Sequence, residues 1–356
     1  MITLKDVRLV HVEASSRCNS HCPMCSRFTA FGEIQPELNE DNLSEETFLK
    51  LFTKELCPQL EHVYFSGVYG DPCFNKLLPK FVDYLLDNGV KSISIDTNGG
   101  YRDTEWWSSL ARLNVTINFA LDGASNETLG RYRIGVSYDK VLANLKAYVA
   151  AGGFAQWNFI VFKHNEHEVE TARALATEIG CDFRIKVTQK FRSNRNFKVY
   201  KNKEYLWDLE PPENPIYRHS NLGNKEHEPI SLTKFDLNNY QHLTSNKIIC
   251  KSQVRREIYL SAAGHVLPCC YLGTYTHDSP GSYQFNLVYN MNDFSLNTNS
   301  INNIINKFIE IEQAWAKTID DGNLITCLQT CGNKQHHHTL YHTEKLSKQT
   351  IYGKKA

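Results

Sequence analysis

The sequence predicts an α/β protein built on an open, partial (βα)6 barrel of the TIM type. Three observations carry this reading. Short strand-like runs alternate with amphipathic helical segments six times within residues 1–190, the pattern of a parallel sheet with outer helices. Six units fall short of the eight that close a barrel. A tight group of cysteines follows the first strand directly, where such folds carry their chemistry, on loops at the C-terminal ends of strands.

The elements follow in order. Val7–Glu13 (VRLVHVE) reads as the first strand. Ser44–Leu56 reads as a helix with Ser44 as N-cap and Glu46 in its first turn. His62–Ser66 is the second strand, and Lys76–Asn88 an amphipathic helix ended by Gly89. Ser92–Asp96 is the third strand, followed by a helix over Thr104–Arg112 and a fourth strand over Val115–Ala120. Tyr138–Ala151 is a helix ended by Gly152 and Gly153. Gln156–Phe162 is a strand, Glu166–Ile179 a helix ended by Gly180, and Phe183–Val187 the sixth strand. Residues 191–245 turn polar and rich in Asn and Lys, with PPENP inside them, and read as a linker or substrate-covering segment. A second cysteine-bearing region occupies 246–335. Residues 336–356, with His336–His338 at their start, read as a flexible tail.

At 356 residues, 41% hydrophobic and 22% charged, the chain has the composition of a globular protein with a substantial core. Lys and Arg together number 39, as do Asp and Glu, so global charge favours neither a nucleic-acid nor a membrane partner. No apolar run is long enough to span a bilayer, and the first residues lack the layout of a signal peptide. The expectation is a cytoplasmic protein without a membrane partner. The basic run from Lys186 to Lys203, interleaved with Phe and Tyr, leaves a nucleic-acid contact open but reads first as a solvated linker face.

Eleven cysteines are an odd number, and several are closely spaced, which in a reducing compartment points to metal rather than disulfides. Cys57, Cys73 and Cys181 are isolated and read as small buried apolar residues. Cys18, Cys22 and Cys25 form C-x3-C-x2-C within SSRCNSHCPMCSR. Three thiolates on one loop can converge on a metal centre, and soft sulfur suits iron–sulfur clusters. The alternative is a structural zinc site, with His21 as a fourth ligand.

The segment RCNSHCPMC resembles the hallmark of the radical S-adenosylmethionine superfamily, placed after the first strand of a partial (βα)6 barrel. The resemblance implies a [4Fe–4S] cluster open at one iron, which chelates S-adenosylmethionine. Reduction of that cluster then cleaves the sulfonium to methionine and a 5′-deoxyadenosyl radical. Three further motifs fall after successive strands. SGVYGDPCF resembles the family's Gly-Glu-Pro motif, with Gly70, Asp71 and Pro72 in place and Asp where Glu is usual. IDTNGG resembles its Thr-Asn-Gly segment and implies that Thr97 and Asn98 line the cofactor site. FALDGASNETLGRYRIG resembles its Ser-x-Asp-Gly segment, with Ala120 in place of Ser, Asp122 and Gly123 matching, and Arg133 as the arginine that would pair with the methionyl carboxylate. Arg131 competes for that role.

In the second region, Cys250, Gly264 and Cys269 give C-x13-G-x4-C, and Cys327 and Cys331 follow in TCLQTCG. This resembles the small C-terminal twitch domain, a shortened relative of the SPASM domain, made of a β-hairpin and a helix. The resemblance implies one auxiliary iron–sulfur cluster, of the [4Fe–4S] type, held by Cys250, Cys269, Cys327 and Cys331, with Cys270 spare. Structural zinc is the alternative. The hairpin would run from REIYLS through Ala263–Gly264 to HVLPCC.

The expected activity is abstraction of hydrogen from a small-molecule or peptide substrate, leading to oxidation, epimerisation or cross-linking. Flavodoxin or ferredoxin would be the electron donor. No leader-peptide recognition domain is visible before Val7, which favours a small molecule, a nucleotide or a partner-delivered peptide. The rival readings are a nucleotide- or nucleic-acid-modifying radical enzyme and a non-catalytic zinc or iron scaffold.

Overall fold

The computed structural model describes residues 2–188, 191, 196–218, 248–274 and 280–332. Strands β1 (Leu9–Val12), β2 (His62–Phe65), β3 (Ile93–Thr97), β4 (Thr116–Ala120), β5 (Phe154–Ile160) and β6 (Asp182–Lys186) pair side by side, all parallel and in chain order. Helices α1 (Glu45–Leu51), α2 (Leu78–Asp87), α3 (Thr104–Leu110), α4 (Asn126–Gly130), α5 (Tyr138–Ala150) and α6 (Val169–Ile179) fill the connections. The expected six-unit α/β barrel is therefore present. Among the described residues no helix is long and apolar enough to cross a membrane.

Local chemistry sets the ends. Ser44 caps α1 by accepting from the Thr47 amide, as the sequence predicts. The helix stops at Leu51 rather than Leu56: Phe52 leaves helical geometry at ψ 68°, and the Thr53 amide turns to the Leu51 carbonyl at 2.9 Å. Gly180 ends α6 in the left-handed conformation, at φ 86°.

Two features depart from the sequence reading. Strands β7 (Phe197–Lys201) and β8 (Glu204–Leu209) form an antiparallel hairpin inside the segment read as a linker. Asn202 and Lys203 both take positive φ at its tip, as a two-residue hairpin turn requires. The second departure concerns the hairpin of β9 (Glu257–Leu260) and β10 (Val266–Leu267). It forms through Gly264 as expected, but β9 also pairs in parallel with β1, so the barrel sheet has eight strands in the order β10-β9-β1-β2-β3-β4-β5-β6. Without β9 the edge of β1 would expose unpaired backbone groups. Helices α7 (Lys251–Arg255), α8 (Pro280–Val288), α9 (Ile301–Ala314) and α10 (Ile325–Cys331) complete the C-terminal region. Most of the linker segment beyond Arg218, and the tail with its His336–His338, lie outside the described residues.

The sheet has two chemically distinct faces. Val10, Val12, Val63, Phe65, Ile95, Ile117, Phe119, Trp157 and Phe159 are all buried under the helices. The alternate positions point the other way, since strand neighbours alternate faces. They include His11, Tyr64, Ser94, Asp96, Asn118, Asn158, Lys186 and Tyr259, and form a polar concave surface.

Candidate metal centre

The loop after β1 carries Cys18, Cys22 and Cys25, and the molecule directs polar hydrogens at their sulfurs. The Ser20 amide lies 3.4 Å from the Cys18 Sγ, the Ser20 hydroxyl 3.0 Å from the Cys22 Sγ, and the Arg27 amide 3.5 Å from the Cys25 Sγ. From other loops, Asn98 Nδ2 reaches Cys18 at 3.6 Å and Arg133 Nη1 reaches Cys22 at 3.4 Å. Burial first, then nearby negative charge, pushes the Cys18 thiol up to about 12 and that of Cys25 to about 11. Such crowded thiols ionise together only around a compensating cation, and N–H donors aimed at sulfur are what an iron–sulfur cluster receives from its protein. The donor set therefore fits the cluster that the sequence implies. His21 does not join it. Its ring stacks on Phe28 at 3.8 Å, so the fourth ligand of the zinc alternative is turned aside. Among the described residues no three His, Cys, Asp or Glu side chains stand close enough to share a single metal ion.

The loop after β2 is pressed onto the cysteine loop. A Cβ at Gly70 would collide with the Ser15 carbonyl and the Ser16 backbone, and one at Gly67 with the Gly70 carbonyl. Pro72 is buried in the first turn of a short 3-10 helix that Asp71 caps. Asp71 turns inward. Its carboxylate accepts from the Thr97 hydroxyl at 2.9 Å, the Asn98 amide at 2.8 Å and the Cys73 amide at 3.0 Å. Thr97 in turn accepts from the Gly99 amide. The Asn98 side chain bridges Asn19 Oδ1 at 2.9 Å and the Gly100 amide at 2.8 Å. The side chains that the sequence assigned to the cofactor thus tie the second and third loops to the cysteine loop.

Sequence reasoning missed Glu13, the residue after β1. It is buried, its Oε1 accepts from the Tyr69 amide at 2.7 Å and the Gly70 amide at 3.3 Å, and its Oε2 accepts from Tyr259 at 2.8 Å. Burial holds its carboxyl above the usual range. A carboxylate ending an apolar strand is the one local signal for it.

On the fourth loop the structure separates the two candidate arginines. Arg133 Nε pairs with Asp122 Oδ2 at 2.6 Å beside Cys22, and Asp122 Oδ1 accepts from the Ile160 amide at 2.6 Å. Arg131 instead lies over the Trp207 ring of β8, 5.6 Å from its centroid. Val199 and Leu209 of the hairpin pack with Cys22, Met24 and Tyr132, so the hairpin roofs the cysteine loop. The alternation FKVYK/EYLWDL around Asn202–Lys203 was the signal for it.

The second cysteine group gathers from three elements. Cys250 caps the start of α7, Cys269 follows β10, and Cys327 and Cys331 stand one turn apart on α10. The Cys250 and Cys331 thiols are hydrogen-bonded, which lowers Cys331 and raises Cys250, while Cys269 lies in the field of Cys327 and Cys250. Cys270, next in the chain, lies in the field of Glu257 and itself acts on Cys269. Cys57 and Cys73 are buried in the core and Cys181 packs at its edge.

The family model of the radical SAM superfamily matches residues 12–176, from the end of β1 through most of α6. The chain carries a radical SAM superfamily domain. Members of this superfamily are enzymes. The matched region holds the cysteine triad and the loops that press on it. Over 143 residues the chain is 31% identical to the tungsten-containing aldehyde ferredoxin oxidoreductase cofactor-modifying protein of Pyrococcus furiosus, covering 38% of this chain and 37% of that protein. It is 28% identical over 189 residues to a probable GTP 3′,8-cyclase of Sulfurisphaera tokodaii, covering 51% and 54%. The chain thus spans about half or less of the length of these relatives. Among solved structures, native anSMEcpe with bound AdoMet is 15% identical, covering 91% of this chain and 88% of that one at a TM-score of 0.49. SuiB of Streptococcus suis bound to S-adenosylmethionine is 12% identical, covering 75% and 61% at a TM-score of 0.48.

Proposed function

We propose that this radical SAM enzyme cleaves S-adenosylmethionine reductively at a [4Fe–4S] cluster on Cys18, Cys22 and Cys25, and abstracts hydrogen from a small-molecule or peptide substrate. The observation that carries this is the convergence of four loops on the triad, with Arg133 and Asn98 aimed at its sulfurs. Bound there, cluster and cofactor supply a carbon-centred radical. The chain's own residues do the rest. Arg133, held by Asp122, sets positive charge beside Cys22 where a methionyl carboxylate would be met. With the carboxylate of Asp71 occupied, the backbone of Gly70–Asp71–Pro72 is left to receive the cofactor's ammonium, and Thr97 and Asn98 keep the third loop in place. The β7–β8 hairpin shields the loop from water.

Cys250, Cys269, Cys327 and Cys331 would hold an auxiliary cluster, probed by iron content below. A flavodoxin- or ferredoxin-type donor in the cytoplasm would deliver the electrons. With dithionite, purified protein should convert S-adenosylmethionine to 5′-deoxyadenosine, and the variant with Cys18, Cys22 and Cys25 all changed to Ala should make none. Product from that variant sinks the proposal. A nucleotide substrate is the second reading, supported by the likeness to a probable GTP 3′,8-cyclase, and GTP consumption by the reduced enzyme tests it.

A further inference from the structure

A buried chain of contacts joins the second cysteine group to the loop that meets the triad. It begins at Cys269, where the backbone turns tightly. The Leu272 amide donates to the Cys269 carbonyl at 3.2 Å, and the Gly273 amide to the Cys270 carbonyl at 3.1 Å. The Thr274 hydroxyl closes the same turn on the Cys270 carbonyl at 2.8 Å. Gly273 is pressed on the ring of Tyr259, so closely that a Cβ there would stand 2.4 Å from Cε1. Tyr259 is fully buried, and the Cys270 thiol is near enough to act on its hydroxyl.

Strand pairing carries the chain across to the first site. Register sets Tyr259 of β9 beside His11 of β1, and the Glu13 amide donates to the Leu260 carbonyl at 2.8 Å. The Tyr259 hydroxyl thereby meets Glu13 and donates to its Oε2 at 2.8 Å. The other oxygen, Oε1, receives the Tyr69 and Gly70 amides at 2.7 and 3.3 Å. One residue on, the Asp71 amide donates to the Arg17 carbonyl at 2.8 Å, immediately before Cys18. Every link is a packed, buried group or a backbone bond, so a displacement at one end is passed on rather than absorbed. Removing the Tyr259 hydroxyl leaves a buried carboxylate oxygen without its donor, and Glu13 must then move to find another.

We propose that Tyr259 and Glu13 are positioning residues that couple the two cysteine groups, so that an occupied second group holds the Gly70–Asp71–Pro72 backbone in the shape that receives S-adenosylmethionine. This rests on the radical reading above and on its auxiliary cluster. With Cys269 held together with Cys250, Cys327 and Cys331, the turn from Cys269 to Thr274 is fixed, and the Tyr259 ring with it. With the group empty, only the turn's own hydrogen bonds hold it against Tyr259. The effect is a coupling free energy between two sites, carried by named groups in contact.

The test uses the full chain, reconstituted anaerobically with iron and sulfide. Affinity for S-adenosylmethionine is read from the shift of the triad cluster's EPR signal during titration. Tyr259→Phe and Cys269→Ala should each weaken binding about tenfold, within the usual span of coupling between sites, while the triad keeps its iron. The double variant should also lose about tenfold, because both changes break one chain, whereas independent effects would multiply to about a hundredfold. A second readout needs no cofactor. Hydrogen exchange in the peptide that holds Tyr69 and Gly70 should be faster in both single variants than in wild type. Unchanged affinity in either single variant, multiplied losses in the double variant, or exchange indifferent to both changes would overturn the inference. Failure of wild type to bind S-adenosylmethionine would instead defeat the radical reading, and the exchange readout would still decide the coupling.

Discussion

Arg131 and Arg133 lie two positions apart and have different partners. Arg133 forms a pair with Asp122, whose side chain is fully buried, so removing the arginine strands a carboxylate without a cation. Arg133→Ala is expected to cost about 3–5 kcal/mol of stability, the usual cost of breaking a buried pair. Arg131→Ala loses a contact with the Trp207 ring and should cost about 0.5–1 kcal/mol. Denaturant unfolding of the two variants compares them directly, and equal losses would show that the pair contributes nothing special. Glu13 gives a prediction with a sign. Its folded pKa is raised by burial above the ordinary 4.5. Below that value the group is protonated in both states and its stabilisation is fully present. As pH rises through the folded pKa, the unfolded chain gives up its proton first and that stabilisation is lost. Wild type should therefore lose stability relative to Glu13→Gln as pH rises above 4.5 in thermal unfolding. A flat difference across that range would refute the assignment.

At the scale of elements, hairpins do what the helices cannot. The β9–β10 hairpin turns at Gly264, with φ 86°, and a Cβ there would stand 2.7 Å from the Thr47 methyl of α1. Gly264→Ala should lower stability by about 1–2 kcal/mol from the left-handed backbone alone, more once the clash is added. The same hairpin delivers Cys269 into the field of Cys327 and Cys250, with Cys270 beside it. Cys269→Ala should accordingly lower iron content by about four per chain, and Cys270→Ala should leave it unchanged. Iron loss in the Cys270 variant alone would reverse that assignment. Helix α1 packs through Phe48, which stacks on Phe81 of α2 at 4.1 Å. Phe48→Ala should cost about 3–5 kcal/mol.

For the whole molecule, the two cysteine groups occupy different parts of the structure and should load independently. Wild type is expected to hold about eight irons, and the triad variant about four. All ligands of the second site would come from protein, so its EPR signal should ignore S-adenosylmethionine while that of the triad cluster shifts. Zinc without iron in the triad variant would make the C-terminal site structural.

Alternation of apolar runs determined the six units, their order and the helices between them, because each strand and helix announces itself within ten or so residues. Cysteine spacing nominates the triad in the same local way, and the preference for Cys269 over Cys270 rests on its spacing from Gly264. Long-range contact decided the rest. Asp71, Thr97 and Asp122 are polar residues at strand ends in the sequence, and only the packed loops give their side chains to one another rather than outward. Glu13 acquires its role from Tyr259, 246 positions away. The β7–β8 hairpin reads as part of a linker because the stretch around it is polar and rich in Asn and Lys, and it becomes a roof only when Val199 and Leu209 find Cys22 and Tyr132 to cover. Strand β9 joins β1 for a similar reason: an open parallel edge needs a partner, and which strand supplies it depends on how the chain returns, not on the composition of the strand itself.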